Sequence, residues 1–301
     1  MSKLSFKHYL HPKNWPVLLG LGILRLLSLL PLPTLRKLGV ALGRLLFHLG
    51  KRRRHIAEVN LKLCFPEKSE AERTLLVKEV FENTGMGMIE LAWSWYAPLK
   101  KLKAACVIKG QEHITDCIKN GQGVLLLTFH FTSLELGAAL LGSQQDNIVG
   151  MYRPHKNSVF DAAMSKGRRR TMEPVARGNV RHLIKAMKQQ QIVWYASDQN
   201  YGVQQGVFVP FFGIPAATIT ATSWFAEKGK AQVIPMTNKR TPNGMEITIH
   251  PALENFPSGD DKEDARVNMA FLEDYLKQYP ADYMWVHRRF KTRPEGEKGV
   301  Y

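Results

Sequence analysis

The chain has 301 residues, 45% of them hydrophobic, which is enough to bury a substantial core and excludes an intrinsically disordered chain. Its 42 Lys and Arg against 26 Asp and Glu leave a formal net charge of +16, so acidic partners are expected: nucleic acid, an anionic membrane surface, or acidic substrates and carrier proteins. Three scattered cysteines, Cys64, Cys106 and Cys117, form no CxxC, which argues against a disulfide framework or a zinc site and suits a reducing compartment.

Residues 15 to 32 are strongly apolar, interrupted by Pro16, Arg25 and Pro31. As one helix they would rise about 27 Å, marginal against a hydrocarbon core of roughly 30 Å, and Arg25 near the middle adds a cost unless the helix lies in the interface. Lys3, Lys7 and Lys13 precede the stretch, while Arg36, Lys37, Arg44 and residues 51 to 54 follow it, so positive charge on both sides gives no orientation. No small-x-small cleavage site follows, which argues against a removed signal peptide. Leu35, Leu38, Leu42, Leu45, Leu46 and Leu49 then recur at helical spacing among basic residues. The expectation is a membrane-associating segment over residues 1 to 54, made of hydrophobic and amphipathic basic helices on an anionic membrane surface, and a globular domain over residues 55 to 301 on one side of the bilayer.

Ser69-x-x-Glu72 is a capping box opening a long helix that Pro98 ends. The pattern then predicts strands over 105 to 109, 123 to 129, 147 to 152, 192 to 196, 231 to 237 and 245 to 250, with a short one near 283 to 287. Helices are predicted over 111 to 119, 133 to 142, 157 to 170, 179 to 189, 216 to 228 and 261 to 278, with a Gly-rich loop from 198 to 215. Strands alternating with helices indicate an α/β fold, a mixed sheet flanked by helices, behind the amino-terminal membrane-binding helical segment.

The run Gly123-Val124-Leu125-Leu126-Leu127-Thr128-Phe129 shows no alternation, as a strand covered on both faces would, and it delivers His130 to the strand's carboxyl end, where ligands bind in open α/β sheets. Glu135 follows five residues later. On one continuous helix the two side chains would stand about 140° apart and could not meet. If the chain turns between them, with Thr132 or Ser133 capping a new helix, Glu135 can reach back and hold the imidazole as a base and its orienting acid. The competing interpretation is that Thr132-x-x-Glu135 is only a capping box and His130 a satisfied polar group. Ser133 as an acyl-enzyme nucleophile lacks the surrounding Gly-x-Ser-x-Gly.

Further stretches stand at predicted strand ends or loops: Tyr152-Arg153-Pro154, Gly167-Arg168-Arg169-Arg170, Asp198-Gln199-Asn200, the run from Gly206 to Gly213, and Trp285-Val286-His287-Arg288-Arg289-Phe290-Lys291-Thr292-Arg293-Pro294. With the His-x4-Glu pair they occur in the order of a known family, and from about residue 55 to 296 the chain resembles the late lipid A acyltransferases, with a glycerolipid-acyltransferase-like fold. It departs at Asn200, where many relatives carry a second acid. The resemblance implies transfer of a fatty acyl group from the thioester of acyl carrier protein to a hydroxyl of a 3-hydroxyacyl chain on a lipid A precursor, at the bacterial inner membrane with the catalytic domain on its cytoplasmic face.

For that chemistry His130 takes the acceptor proton, Glu135 fixes its tautomer, and Arg168 meets the oxyanion. Arg153, Asp198, Gln199, Arg288 and Arg289 are the expected substrate-binding residues, the arginines as forked donors to acidic head groups. No metal-ligand cluster or nucleotide loop appears, so no metal and no cofactor are expected. Two other functions compete. Acylation of glycerol phosphate or a lysophospholipid uses a similar His-acid pair, but the run from 285 to 294 favours lipid A. A basic membrane-attached nucleic-acid-binding protein would also explain the charge, yet no nucleic-acid motif is present, so no nucleic-acid partner is expected.

Overall fold

The computed structural model describes residues 11 to 301; Lys3 and Lys7 of the basic amino-terminal flank lie outside the described residues. A 3-10 turn, Pro12–Asn14, leads into α1 (Trp15–Leu27), with Pro16 in its first turn, where the missing N–H costs nothing. The apolar run does not continue as one helix. It breaks after Leu27 and restarts as α2 (Leu32–Leu49), whose N-cap is Pro31, because a proline ring disfavours helical backbone in the residue before it. At 13 residues α1 is about 20 Å long, and no helix among the described residues is long and apolar enough to cross a membrane, so the single span contemplated for residues 15 to 32 is absent. α1 instead exposes Leu19 (68%), Ile23 (48%) and Leu26 (67%) along one stripe.

α3 (Lys51–Cys64) follows Gly50, and α4 (Glu70–Tyr96) opens with the predicted capping box, Ser69 and Glu72 each bonding the other's backbone N–H. α2 lies tight against α4 because Gly43 faces Phe81: a Cβ at Gly43 would fall 2.3 Å from the Phe81 carbonyl oxygen. Then come α5 (Leu99–Ala104), β1 (Cys106–Lys109), α6 (Gln111–Lys119), β2 (Gly123–Thr128), α7 (Leu134–Gly142), β3 (Ile148–Tyr152) and α8 (Ser158–Arg168). These are followed by β4 (Glu173–Ala176), α9 (Val180–Lys188), β5 (Ile192–Ala196), β6 (Gly206–Phe211), β7 (Ile214–Ile219), α10 (Ala221–Gly229), β8 (Ala231–Thr241), β9 (Gly244–Ile249) and α11 (Asp261–Gln278).

The main sheet has the order β1-β9-β8-β2-β5-β3-β4. β8, β2, β5, β3 and β4 run parallel; β9 turns back antiparallel to β8, and β1 pairs parallel to β9. This is the expected mixed α/β sheet flanked by helices. Every residue of β2 is buried, with Leu125 and Leu127 in one apolar core and Val124 and Leu126 in the other, as a central strand sandwiched between two layers demands.

Three local expectations change. The loop from 198 to 215 contains the hairpin β6–β7, closed by Phe212 and Gly213, both at positive φ, and β7 runs to Ile219 before the helix begins. A phenylalanine at positive φ is a turn signal that residue type hides. β4 occupies a connection that showed no strand pattern, its four residues too short to alternate visibly. Residues 283 to 287 form no strand: a 3-10 turn, Pro280–Asp282, leads to a single bridge between Phe131 and Tyr283.

Candidate active site

Register places the site. Thr128 at the end of β2 pairs with Ala196 at the end of β5, so His130 and Asp198 both stand two residues beyond paired strand ends, side by side at the sheet's carboxyl edge. His130 is the middle residue of a tight turn in which Phe131 N–H donates to the Phe129 carbonyl at 2.6 Å. Backbone bonds to the end of the 3-10 turn Pro280–Asp282 and to the residues after it clamp the His130 turn: Met284 N–H donates to the His130 carbonyl at 3.0 Å and Thr132 N–H to the Asp282 carbonyl at 2.7 Å. From below, Gly87 on α4 presses on it, where a Cβ would sit 1.9 Å from the Thr132 carbonyl oxygen.

The imidazole Nδ1 of His130 lies 2.9 Å from Asp198 Oδ1, which also accepts the His130 backbone N–H at 2.9 Å. Asp198 Oδ2 accepts the Tyr283 hydroxyl at 2.8 Å. Burial alone would raise the pKa of the wholly buried Asp198 carboxyl, but the charge and hydrogen bonds of His130 and the Tyr283 hydroxyl outweigh it and hold the group below the ordinary aspartate range. An ionised carboxylate only accepts, so Nδ1 carries the hydrogen and Nε2 is the basic nitrogen. Nε2 has no hydrogen-bond partner among the described residues, and the side chain is 21% exposed.

Beside this dyad, burial lowers the pKa of His287 to about 4, so it is neutral at physiological pH, and its Nε2 accepts the Asn200 backbone N–H at 3.3 Å. Asn60 on α3 holds that segment by donating to the carbonyls of Trp285 (2.7 Å) and His287 (2.8 Å).

The partner expected for His130 was Glu135, and here the structure differs. Glu135 lies in the first turn of α7, and its carboxylate accepts from Arg168 Nε (2.9 Å) and Nη2 (2.6 Å) and from the Trp95 indole N–H (2.8 Å). The turn between the two residues carries the Glu135 side chain away from the imidazole and toward α4 and α8, while β5 brings Asp198 in. The capping box does not form either: Thr132 Oγ1 accepts from Arg240 at 3.0 Å, and Ser133 Oγ accepts from Asn238. Burial would lower the pKa of the Arg168 guanidinium, but Glu135 raises it above the ordinary value and keeps it charged. Its Nη1 is left uncommitted by this fork, and the guanidinium stands 5.4 Å from the centre of the Tyr152 ring.

The expected substrate-binding residues divide. Asp198 faces His130 rather than the solvent, and Gln199 stands next to it, half-buried. Arg153 is exposed just beyond β3, at the same edge of the sheet, with no ion pair among the described residues. Arg288 lies 5.6 Å from the centre of the Tyr301 ring. Arg289 is not placed to meet a substrate: it is wholly buried, with Nη1 donating to the Ala217 carbonyl at 2.7 Å and Nη2 to Thr218 Oγ1 at 2.6 Å, bonds that tie down β7 of the separate hairpin. Tyr283 and Trp95 were missed by sequence reasoning, since an aromatic residue in an apolar stretch looks like core whether or not its polar atom finds a partner in the fold. Among the described residues no three His, Cys, Asp or Glu side chains converge as a metal site would require.

A protonatable nitrogen backed by a buried carboxylate, on a side chain partly open to solvent, can remove a proton from a hydroxyl and return it to a leaving group. The model of the bacterial lipid A biosynthesis acyltransferase family matches residues 3 to 292. The chain is 40% identical over 297 residues to the lipid A biosynthesis lauroyltransferase of Escherichia coli K12, covering 97% of this chain and 96% of that protein. It is 33% identical over 299 residues to the lipid A biosynthesis palmitoleoyltransferase of the same organism, with 98% and 97% covered, and 29% identical over 304 residues to its myristoyltransferase, with 98% and 93% covered.

Proposed function

The chain belongs to the bacterial lipid A biosynthesis acyltransferase family and is an acyltransferase, and on that premise we propose that it moves a fatty acyl group from acyl carrier protein to a 3-hydroxyacyl hydroxyl of a lipid A precursor. The observation that carries the mechanism is the free Nε2 of His130 at the sheet's carboxyl edge, with Asp198 fixing Nδ1. Nε2 takes the proton of the acceptor hydroxyl as its oxygen attacks the thioester carbonyl carbon. The buried Asp198 carboxylate stabilises the imidazolium that forms, the orienting role first expected of Glu135. The tetrahedral intermediate bears an oxyanion; Arg168, held by the Glu135 fork and keeping Nη1 free, is the candidate donor. When the carbon–sulfur bond breaks, the imidazolium returns its proton to the departing thiolate. Glu135 thus acts through Arg168, as a positioning residue.

Arg153, Gln199 and Arg288 remain candidates for contact with the acceptor. The net charge of +16 supports two acidic partners, the carrier protein and the precursor. The exposed apolar stripe of α1 and the leucines Leu38, Leu45 and Leu49 of α2 support in-plane attachment to the inner membrane, on the cytoplasmic face where the carrier protein is found. Purified protein offered an acyl carrier protein thioester and a lipid A precursor is expected to add one acyl mass to the precursor. An unchanged product, and an unchanged lipid A profile in cells lacking the protein, would reject this function.

A further inference from the structure

Beside the catalytic turn, one strand over at the same edge of the sheet, lies a groove of about 700 Å³ between α2, α4, the β8–β9 turn and the 3-10 turn Pro280–Asp282. We propose that this groove is a binding site for a phosphate ester carried on a sugar, the head group of the acceptor lipid. This rests on the function proposed above and adds where the acceptor's head group sits.

The floor is a buried ion cluster. Glu90, 1% exposed, is shared by two guanidiniums: Arg36 Nε reaches Oε1 at 2.7 Å and Arg240 Nη2 reaches Oε2 at 2.9 Å. A buried and a partly buried cation on one buried carboxylate leave an uncompensated positive charge where solvent screens poorly. Arg36 is further locked by donating to the Gly244 carbonyl at 2.8 Å, and Arg240 by donating to Thr132 Oγ1 at 3.0 Å, so the charge cannot swing away. At the rim Lys37 is exposed with no ion pair among the described residues, and Lys239 holds its ammonium 4.4 Å from the centre of the Tyr279 ring. Arg44 is matched by Glu82, and Asp282 lies in the wall. With Glu90, Glu82 and Asp282 all ionised the groove still carries a surplus of two positive charges.

Volume and lining select the ligand. The groove falls within the range of small-molecule sites, about 300–1,000 Å³. Lysines with free donors suit a phosphate, and the Tyr279 ring with Pro33, Val40 and Met86 offers an apolar surface to the C–H face of a sugar. The site is also tied to the chemistry. Arg240 bonds Thr132, and the Asp282 carbonyl accepts Thr132 N–H, two residues from His130. An acceptor hydroxyl on the third carbon of an acyl chain is only a few bonds from its sugar, so a head group held here leaves that hydroxyl within reach of the same turn.

The test uses the full chain and the double variant Lys37→Ala/Lys239→Ala, whose side chains are exposed and leave the floor intact. Calorimetric titration with glucosamine 1-phosphate is expected to show binding that the variant weakens at least tenfold. Inorganic phosphate binding as tightly, or phosphatidylglycerol micelles competing as well, would overturn the assignment to a sugar phosphate. In turnover, the variant should raise the KM for the phosphorylated lipid A precursor at least tenfold, with kcat and the KM for acyl carrier protein thioester within twofold. With a dephosphorylated precursor, wild type and variant should be alike. An unchanged acceptor KM, or a rise in the donor KM instead, overturns the proposal. If the wild-type chain transfers no acyl group to the precursor yet the variant still loses glucosamine 1-phosphate, the proposed function fails and the groove stands.

Discussion

Asp198→Asn should separate the two carboxylates that compete for His130. In the native site Oδ1 accepts both the backbone N–H and Nδ1 of His130, and Oδ2 accepts the Tyr283 hydroxyl. An asparagine whose carbonyl takes the Oδ1 position keeps both His130 bonds, and the Tyr283 hydroxyl can rotate to accept from the amide. Only the charge is then lost. A hydrogen bond to a charged group contributes about 1.5–3 kcal/mol, so the imidazolium of the transition state is destabilised by that amount and kcat falls by about one to two decades. If the amide flips, its NH₂ faces Nδ1, the ring proton moves to Nε2, and the base is blocked; the loss then reaches about four decades, the scale known for the wrong tautomer in a serine-protease triad. The assay is steady-state transfer from acyl carrier protein thioester, with circular dichroism and acceptor KM as controls for folding and binding. A folded Asp198→Asn protein turning over within threefold of wild type would refute the His130–Asp198 dyad.

Glu135→Ala strips the partly buried Arg168 of its carboxylate, so a fall in melting temperature should accompany the loss of turnover. Glu135→Gln, which keeps acceptor and shape for Trp95, should recover part of the stability. Arg289→Met should lower the melting temperature while leaving the acceptor KM of the folded protein unchanged, because Arg289 ties β7 rather than meeting substrate; a raised KM without destabilisation would contradict that. Leu19→Glu with Leu26→Glu should abolish flotation with phosphatidylglycerol vesicles while the melting temperature holds, since both side chains are exposed; undiminished flotation would remove α1 from the membrane contact. The Asp198 carboxyl is held below its unfolded value of about 3.9, so it contributes stability above that pH and loses it as pH falls through the lower folded value. Acid denaturation of Asp198→Asn should therefore be shallower in that window than that of wild type, and coincident curves would count against the depressed carboxyl.

Much of the fold is legible in the chain because it rests on local rules. The unbroken apolar run before His130 reads as a covered strand, Ser69-x-x-Glu72 reads as a helix start, and the helix over 111 to 119 appears where its period places it. The hairpin around Phe212 and Gly213 escaped because its turn puts a phenylalanine at positive φ, and residues 283 to 287 misled because aromatic residues suit both a strand and a packed irregular segment. Arg289 misled for a related reason: an arginine in a basic run looks solvated, and only packing shows that it has three-dimensional partners on β7.

The pairing of His130 with Asp198 shows where local rules end. Sequence by itself determined that a histidine leaves a buried strand at the ligand edge of an α/β sheet, with a carboxylate close behind, and which family the motifs follow. The partner of that histidine was decided by tertiary structure. A contact five residues away depends on a single turn, and the turn at His130 carries Glu135 toward Arg168 and Trp95. Asp198, 68 residues further along the chain, arrives because β5 pairs with β2 in the register that sets Thr128 against Ala196. Such pairing is set by backbone hydrogen bonds and by burial of both strands against two layers of helices, quantities that belong to the assembled sheet and to no short stretch of residues.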